Sequence, residues 1–396
     1  MRVLQINATY KIGSTGKIVA GLSDIMANEG IENYVLCAYS NEINDNLYIM
    51  SKCRYPNNAR LNILRMMITG LNGYFRKSDT QKALEWIDSI KPDVIHIHNI
   101  HGDWINISLV FNYIKKRNVP VIWTFHDCWP FTGRCSYFDM CGCEKWKTQC
   151  QKCLNKSIYP TTLLFDFSKK MYKDKKRLFS GLNKAFIVTP SMWLGCYVKD
   201  SFLSNNKIIT IHNGINTQKY TPGNCKHQND ERIILGVANS WAERKGLEDF
   251  IKLDKLINHD KYRIILVGLN EKQLKGLPNT IEGIKRTNSE DELIGLYQNA
   301  YVFVNPTYQD NYPTTNMEAL ACGTPVITYN TGGSPESIDK TVGLVIPQGD
   351  IEAIANSLDF ISMIDRAECR RFAEKTHEKS ICFREYIKLY REVLIG

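Results

Sequence analysis

The segment 301–328 constrains the fold of this chain more than any other part of its sequence. It predicts a short buried strand, a polar loop, a helix and a second buried strand. Pro306 ends the first strand, because proline cannot donate to a strand ladder. Pro313 suits the first helical position, where its missing N–H costs nothing, and Gly323 is placed to stop the helix. The polar groups of the segment therefore gather in the loop and the first helical turn.

That loop and turn combine an anion site with two acids. The backbone N–H groups near Thr314, Thr315 and Asn316 have no acceptor within the helix, so they favour an anionic ligand. Glu318 shares the face of Thr314 and Thr315, where its carboxylate can accept hydrogen bonds from neighbouring sugar hydroxyls. Asp310 lies on the loop before the helix. Two acids that flank an anion site predict a nucleotide-sugar as ligand.

The same residues resemble the signature of the retaining glycosyltransferases of family 4, the "group 1" transferases with the GT-B fold. That signature is an acidic residue, seven residues, a Glu and then Ala-Leu-Ala-x-Gly-x-Pro-Val. This chain has Asp310, Glu318 and the matching run 319–326. Most members carry Glu at the first position, so Asp310 is a departure that is one methylene shorter. The plain alternative is a buried strand–helix unit with solvated acids.

The resemblance implies an α/β protein of the GT-B type, with two Rossmann-like, doubly wound parallel sheets facing a cleft and a C-terminal helix that crosses back to the first domain. The order strand, helix, strand at the start of the chain also predicts a parallel sheet. A second series of strands begins at Arg232.

The polar linker 217–230 marks the predicted domain boundary. We expect residues 1–218 to form an acceptor-binding domain, completed by the C-terminal helix 378–396. This domain carries a cysteine-rich insertion over 128–153. Residues 219–377 then form the domain that binds the nucleotide-sugar.

The resemblance also implies the site residues. In the implied arrangement Glu318 binds the ribose and Asp310 binds the transferred sugar. The implied reaction retains the configuration at the anomeric carbon and needs no divalent metal. The implied donor-binding residues are Gly16, Arg244, Lys245, Asp310, Asn311, Tyr312, Thr314, Thr315 and Glu318. The implied catalytic residues are Asp310, Lys245 and His126. The pair Gly332-Gly333 resembles the glycine pair that lies beneath the donor in this family.

Lys245 follows a predicted strand and precedes a predicted helix, where its ammonium can neutralise a diphosphate. In the family an Arg six residues earlier shares this task, but that position is Asn239 here. Arg244, next to the lysine, is the expected substitute. A surface charge at a helix end is the alternative interpretation of Lys245.

Gly16 lies in the glycine-bearing loop that the sequence predicts between the first strand and the helix from Lys17. The run Gly13–Lys17 is not a phosphate-binding P-loop, because Lys11 stands at the position of the first glycine and Ile18 follows the lysine. In the family this loop lies against the donor phosphate, with a residue such as Gly16 in close approach. A simple tight turn explains the loop equally well.

Histidines follow two predicted strands of the first half, at the edge where open parallel sheets bind ligands. His126 is the stronger candidate, because the family carries a histidine there that contacts the donor sugar. His96 is expected to be a hydrogen-bonded core residue. The roles of His98 and His101 stay open.

Six cysteines fall within 26 residues, between Cys128 and Cys153. A chain that is not exported keeps its thiols reduced, so this density predicts a structural zinc, which takes four thiolates. The expected ligands are Cys135, Cys141, Cys150 and Cys153, with Cys143 or Cys128 able to replace one. An iron–sulfur cluster and reduced, buried thiols are the alternatives.

The chain has a net charge of +9, and residues 145–177 alone carry ten Lys or Arg against two Asp. Such a surface favours a phosphate-bearing partner: an anionic membrane surface or a lipid-diphosphate fits, and nucleic acid is also compatible. A solvated surface helix explains the window equally well. The sequence begins with too short an apolar run for a signal peptide. We therefore expect a cytoplasmic protein with peripheral contact at the inner face of the membrane.

The predicted function is transfer of a sugar from a UDP- or GDP-sugar to a saccharide or lipid-linked saccharide, in bacterial surface polysaccharide assembly. No cofactor is expected for catalysis. One alternative is a nucleotide-sugar epimerase on the same architecture, which would need a second set of acid and base carboxylates. The other is a metal-containing nucleic-acid-binding protein, suggested by the cysteines and the basic window; it leaves the donor-site residues unexplained.

Overall fold

The computed structural model describes the chain in five stretches, with the side chains of 59–63 left aside: 1–50, 59–102, 104–157, 159–223 and 232–395. It forms two compact units. The first comprises Met1–Ile211 together with the residues from Phe383 onward, and the second comprises His212–Cys382. This division falls close to the predicted boundary after residue 218. Part of the predicted linker, 224–230, lies outside the described residues.

The first unit contains a seven-stranded sheet that is parallel throughout, in the order β3-β2-β1-β4-β5-β6-β7. Its strands are β1 (Arg2–Tyr10), β2 (Glu32–Ser40), β3 (Leu47–Ile49), β4 (Val94–Ile97), β5 (Val121–Thr124), β6 (Ala185–Thr189) and β7 (Lys207–Thr210). Its helices up to the end of the sheet are α1 (Gly13–Asn28), α2 (Ala59–Thr69), α3 (Lys77–Ile90), α4 (Ile107–Arg117), α5 (Lys145–Thr148), α6 (Ser168–Phe179) and α7 (Met192–Lys199).

The second unit contains a six-stranded parallel sheet, in the order β10-β9-β8-β11-β12-β13. Its strands are β8 (Arg232–Val237), β9 (Tyr262–Val267), β10 (Ile281–Ile284), β11 (Val302–Asn305), β12 (Val326–Tyr329) and β13 (Gly343–Ile346). The helices are α8 (Leu247–Asp254), α9 (Glu271–Lys275), α10 (Glu290–Asn299), α11 (Thr314–Ala321), α12 (Ile351–Ser357), α13 (Arg366–Thr376) and the C-terminal α14 (Lys379–Ile395).

The central strands of both sheets are buried on both faces. Every residue of β4, β5, β11 and β12 is buried, as expected for parallel strands covered by helices on either side. The short, nearly continuous apolar runs in the sequence follow from this burial. The prediction of two doubly wound parallel sheets is confirmed.

The C-terminal part of α14 packs on the first sheet. The hydroxyl of Tyr390 is hydrogen-bonded to Nδ1 of His96 at 2.7 Å. The hydroxyls of Tyr386 and Thr124 lie 3.1 Å apart. Both tyrosines are buried. The return of the C-terminal helix to the first domain is therefore confirmed, and a buried hydrogen-bond network fixes it there.

Two predicted boundaries are wrong by a few residues. Pro313 precedes α11 as its N-cap, and the helix begins at Thr314. The first strand runs to Tyr10 and α1 begins at Gly13, so Gly16 lies in the first turn of a helix and not in a loop. Helix ends commonly fray and shift by a residue or two.

The strand order reverses once in each sheet. The reversal lies between β1 and β4 in the first unit and between β8 and β11 in the second. At such a switch point the loops after the two adjacent strands diverge and leave a crevice beyond their carboxyl ends. The loops after β8 and β11 contain Lys245 and Asp310, respectively.

The helices are short. The longest in the described ranges, α14, has 17 residues, and none of those helices combines the length and apolar character that crossing a bilayer requires. The predicted peripheral contact with a membrane stays a prediction.

Candidate active site

Lys245 and Asp310 meet at the switch point of the second sheet. The Nζ of Lys245 lies 2.5 Å from Oδ2 of Asp310, and the two side chains are 19% and 16% exposed. Neighbouring strands place these residues together, although they are 65 positions apart in sequence. The lysine is thus held in one orientation by a largely buried ion pair.

The turn that carries Lys245 is bonded to the loop that carries Asp310. The carbonyl of Arg244 accepts the N–H of Tyr308 at 2.7 Å, and its guanidinium donates to the carbonyl of Gln309 at 2.7 Å. Gly246 has φ +76°, and a Cβ there would lie 2.2 Å from the Pro306 carbonyl oxygen. Glycine therefore allows the two loops to approach this closely.

The glycine pair after β12 supports Asp310 from the other side. The N–H of Gly333 donates to the carbonyl of Asp310 at 3.1 Å. Gly332 has φ +57°, and a Cβ on it would lie only 1.9 Å from the same carbonyl oxygen. The Asn311 N–H donates to Oδ1 of Asp310 at 2.8 Å. The glycine pair thus holds the backbone of Asp310, and the N–H of Asn311 holds its carboxylate.

Asp310 stays ionised. Burial alone would raise the pKa of Asp310, but the charges of Lys245 and Arg244 outweigh it and hold that pKa below its ordinary value. An ionised carboxylate accepts hydrogen bonds from hydroxyls and donates none. At neutral pH this group can therefore orient a polyol through its hydroxyls.

The first turn of α11 is anchored by asparagines. Asn305 Nδ2 donates to Oδ1 of Asn316 at 2.8 Å, and Asn316 Nδ2 donates to Oγ of Ser337 at 2.9 Å. The backbone N–H of Asn316 donates to the Pro313 carbonyl at 3.3 Å, so the prediction that this amide lacks an acceptor is wrong. The amides of Thr314 and Thr315 are left as the candidate anion site.

Glu318 lies one turn further along the same helix and is half-buried. The hydroxyl of Tyr297, on α10, donates to Oε2 of Glu318 at 3.1 Å. Burial, followed by the charge of Glu318, raises the pKa of Tyr220 far above its ordinary value. Two tyrosines therefore border the carboxylate, and one of them fixes its orientation.

Tyr312 is buried and stacks on His212, with 4.6 Å between ring centroids and 15° between planes. Its carbonyl accepts a hydrogen bond from Nδ2 of Asn213 at 3.4 Å. The side chain thus shapes the loop before α11. A contact between this residue and a donor sugar, as the resemblance implies, would use its backbone.

His126 follows β5 in the first unit and is bonded to a second histidine. Nε2 of His126 and Nδ1 of His98 lie 3.0 Å apart. Burial lowers the pKa of His126 to about 4 and holds the pKa of His98 well below its ordinary value. Both rings are therefore neutral at pH 7, and one donates its single N–H to the other.

The neighbouring histidines have different surroundings. His96 is fully buried between Tyr390 and Thr124, at 2.7 and 2.8 Å, so the prediction of a hydrogen-bonded core histidine is confirmed. Nε2 of His101 lies 3.1 Å from Oδ2 of Asp127. His98 and His101 thus contact the residues at the end of β5.

Gly16 packs against the end of β1. A Cβ on Gly16 would lie 2.8 Å from Oγ1 of Thr9 and 3.3 Å from the backbone nitrogen of Lys11, whose N–H donates to the Gly16 carbonyl. The first turn of α1 therefore needs a residue without a side chain at this position. Whether the turn also approaches a phosphate stays a prediction.

The cysteines between Cys128 and Cys153 are all unbridged. The sulfurs of Cys135 and Cys153 lie 3.8 Å apart. Across the five described stretches, no three His, Cys, Asp or Glu side chains already converge on a common centre suited to a metal ion. The zinc site stays a prediction.

Sequence reasoning missed the residues that hold the site residues in place. Tyr297, Asn305 and Ser337 belong to no motif, and their partners lie between 11 and 21 positions away along the chain. An asparagine at the end of a buried strand was the one available signal, because a buried amide needs a partner.

Two family models match most of the chain between them. The model of Glycosyltransferase Family 4 matches residues 16–219, more than half of the 396 residues, and the model of Glycosyl transferases group 1 matches residues 224–379. The two matches meet near the division between the two units of the structure.

Individual proteins also resemble the chain over long stretches. A relative from Escherichia coli K12, named as the colanic acid biosynthesis glycosyl transferase WcaC, is 25% identical over 89% of this chain and 88% of its own length. The N,N'-diacetylbacillosaminyl-diphospho-undecaprenol alpha-1,3-N-acetylgalactosaminyltransferase of Campylobacter jejuni is 23% identical over 50% of this chain and 58% of its own.

The fold recurs in solved structures. The sucrose-phosphate synthase of Thermosynechococcus elongatus superposes with a TM-score of 0.73 at 16% identity, covering 100% of this chain and 99% of its own. At this identity the likeness bears on the fold alone. It agrees with the two parallel sheets described above.

Proposed function

Because the chain belongs to glycosyltransferase family 4, we propose that it is a retaining glycosyltransferase that uses a nucleotide-sugar to extend a saccharide or lipid-linked saccharide in bacterial surface polysaccharide assembly. The observation that carries this proposal is the Lys245–Asp310 pair at the switch point of the second sheet. It sets a fixed cation beside an ionised carboxylate, so that the cation can bind a phosphate and the carboxylate can bind a sugar.

In this proposal Lys245 and Arg244 stabilise the charge that develops on the leaving diphosphate. Both cations are held by the loop 306–310, so they need no reorganisation when the sugar–phosphate bond breaks. The amides of Thr314 and Thr315 add positive dipoles at the start of α11. This electrostatic stabilisation needs no divalent metal.

The two carboxylates bind different parts of the donor. Glu318 accepts hydrogen bonds from the ribose hydroxyls, with Tyr297 fixing its orientation. Asp310, with the backbone of Asn311 and Tyr312, orients the transferred sugar. A carboxylate can accept from two neighbouring hydroxyls at once, which suits a diol.

His126 acts in this proposal as a neutral hydrogen-bonding group toward the sugar, since burial keeps its pKa near 4. It therefore does not serve as a cationic acid. The leaving phosphate takes the proton of the acceptor hydroxyl on the same face of the sugar, which gives retention and needs no separate base.

The relatives support the substrate class. The name of WcaC assigns it to colanic acid biosynthesis, and the Campylobacter enzyme acts on a diphospho-undecaprenol saccharide. Both names fit the basic window 145–177, whose exposed lysines can face a lipid-diphosphate or an anionic leaflet. We therefore propose a cytoplasmic site of action beside the membrane.

A panel of UDP- and GDP-sugars tests the proposal. One donor should raise the melting temperature of the full chain and release its nucleoside diphosphate only when a saccharide acceptor is added. The product should keep the anomeric configuration of the donor by NMR, and EDTA should leave the rate unchanged. Turnover of a nucleotide-sugar without an acceptor would instead indicate an epimerase or a hydrolase.

A further inference from the structure

The insertion between β5 and α6 has little regular structure to hold it. Among its described residues it contains α5 and two single 3₁₀ turns, Trp129–Phe131 and Asp139–Cys141. Aromatic rings form its core: Trp146 stacks on Phe138, with 5.0 Å between centroids. A segment of this kind commonly needs a covalent or metal cross-link to fold.

Two of its sulfurs already have the spacing of metal ligands. Sγ of Cys135 and Sγ of Cys153 lie 3.8 Å apart. Four thiolates at about 2.3 Å from a tetrahedral zinc are separated from one another by roughly 3.8 Å. A disulfide would need about 2.05 Å, so the observed distance fits two ligands of one ion.

Cys150 neighbours both sulfurs of this pair, and Cys143 neighbours Cys150. Cys150 interacts electrostatically with Cys135, Cys143 and Cys153. Its sulfur accepts the backbone N–H of Gly133 at 3.1 Å. A Cβ on Gly133 would lie 2.7 Å from the Cβ of Cys150, so only glycine lets this N–H reach the sulfur. Such a donor stabilises a negatively charged sulfur.

Cys141 and Cys128 are engaged elsewhere. The thiol of Cys141 donates to the carbonyl of Phe138 at 3.1 Å and accepts from Nδ2 of Asn155 at 3.1 Å. Cys128 is fully buried, and its electrostatic neighbours are Asp127 and Asp139. Because the Cys141 thiol donates its proton to a carbonyl and Cys143 is the electrostatic neighbour of Cys150, Cys143 is the stronger candidate for the fourth sulfur.

A buried lysine lies beside these sulfurs without a carboxylate of its own. Lys175, on α6, is 0% exposed and donates to the carbonyls of Trp129 and Thr132 at 2.6 and 3.2 Å. No acid forms an ion pair with it in the described stretches. Burial lowers the pKa of Lys175 well below its ordinary value. Its electrostatic neighbours are the thiols of Cys150 and Cys135 and the carboxylate of Asp127, which is paired with His101.

Arg134 is a second buried cation near these cysteines. It is 2% exposed, and its partners among the described residues are main-chain carbonyls, those of Asn155, Lys156 and Pro160. It interacts electrostatically with Cys135 and Cys153. A buried charge without a counter-charge costs several kcal/mol. Four thiolates around a divalent ion carry a charge of about −2, which two cations balance.

We propose that Cys135, Cys143, Cys150 and Cys153 bind one zinc ion as thiolates, and that Lys175 and Arg134 neutralise the resulting charge. Cys135 and Cys153 provide one edge of the tetrahedron, and the thiols of Cys143 and Cys150 complete it by rotating about their Cα–Cβ bonds. The ion cross-links an insertion that starts directly after His126. This site is independent of the proposed transferase activity.

Metal analysis of the full chain, purified without chelators and without a histidine tag, tests the site. We expect about one zinc per chain, which falls below a tenth in Cys143→Ser and Cys135→Ser. Cys141→Ser is the matched control in the same insertion and should keep its zinc. A metal-free folded protein would overturn the proposal, as would loss of zinc from Cys141→Ser with retention in Cys143→Ser.

A second measurement on the wild-type chain covers the case in which these variants do not fold. After growth with Co²⁺, the protein should show the intense thiolate-to-cobalt charge-transfer absorption of a tetrathiolate site. Absence of that band, a Cys135–Cys153 disulfide found by mass spectrometry, or an equivalent of iron in place of zinc would each refute the zinc tetrathiolate.

The balancing cations have their own test. Lys175→Met should speed the transfer of zinc to a chelator by roughly 10- to 100-fold, the range seen when groups around the ligands are removed. Lys173→Met, an exposed position on the same helix, should leave the rate unchanged. Equal rates in the two variants would refute the role of Lys175.

Discussion

Replacing Lys245 with methionine removes one positive charge from the candidate site and shortens the side chain by a single atom. In the structure the ammonium is 19% exposed and bound to Asp310. A unit charge about 4 Å from a phosphate charge contributes about 4 kcal/mol at an effective dielectric constant near 20. Loss of one fixed electrostatic partner of a transition state commonly costs about 2.7–4 kcal/mol. We therefore expect kcat to fall by roughly 100- to 1000-fold.

The assay is release of the nucleoside diphosphate at saturating donor and acceptor, accompanied by a thermal melt. Lys285→Met is the matched control, because Lys285 forms an ion pair of the same length, 2.5 Å, with Glu271 on the exposed surface. Lys285→Met should leave kcat unchanged. It should change the free energy of unfolding by no more than about 0.5 kcal/mol. Lys245→Met should cost roughly 1–2 kcal/mol of stability, between exposed and buried pairs. A folded Lys245→Met protein with wild-type kcat would refute the role of this lysine.

Three further outcomes are expected. Glu318→Gln should raise the KM for the donor about tenfold, because a neutral amide is a weaker acceptor than a carboxylate; an unchanged KM would remove Glu318 from the ribose site. Because the pKa of Asp310 is lowered on folding, the stability that it contributes is present above its unfolded pKa of about 3.9 and is lost as the pH falls through the lower folded value. The stability difference between wild type and Lys245→Met, measured by urea unfolding, should therefore shrink on acidification below about pH 4, and a constant difference would contradict this. Gly246→Ala should cost about 1–3 kcal/mol, because its φ is +76° and the Pro306 carbonyl lies 2.2 Å from the new Cβ, whereas Gly295→Ala, in a helix with open space around the Cβ, should gain roughly 0.5–1 kcal/mol.

The donor-side residues could be chosen from the sequence because their spacing reflects local geometry. Asp310, Thr314 and Glu318 lie on one loop and the helix that follows it, so their order along the chain nearly fixes their order in space. Short apolar runs likewise predict that the flanking strands are buried, because parallel sheets covered on both faces require such runs. These features are local, and a pattern of residues is sufficient to predict them.

The partners of those residues could not be chosen in this way. Lys245 meets Asp310, Tyr297 meets Glu318, and Asn305 meets Asn316 only because of which strands and helices become neighbours. Many strand orders satisfy the same apolar pattern. The sequence alone also favoured Cys141 as a metal ligand, and we propose Cys143 in its place, because spacing does not distinguish between two cysteines that are two positions apart.

The amino-acid sequence by itself determined the parallel-sheet architecture and the loop and first helical turn after β11 in the second unit, since hydrophobic periodicity and turn residues act over a few positions. Only the tertiary structure decided that β8 lies beside β11, which joins the lysine to the aspartate, and that α14 packs on the first sheet through Tyr390 and His96. The physical reason is that pairing between distant strands depends on the packing of the whole sheet, and no short segment of the chain carries that information.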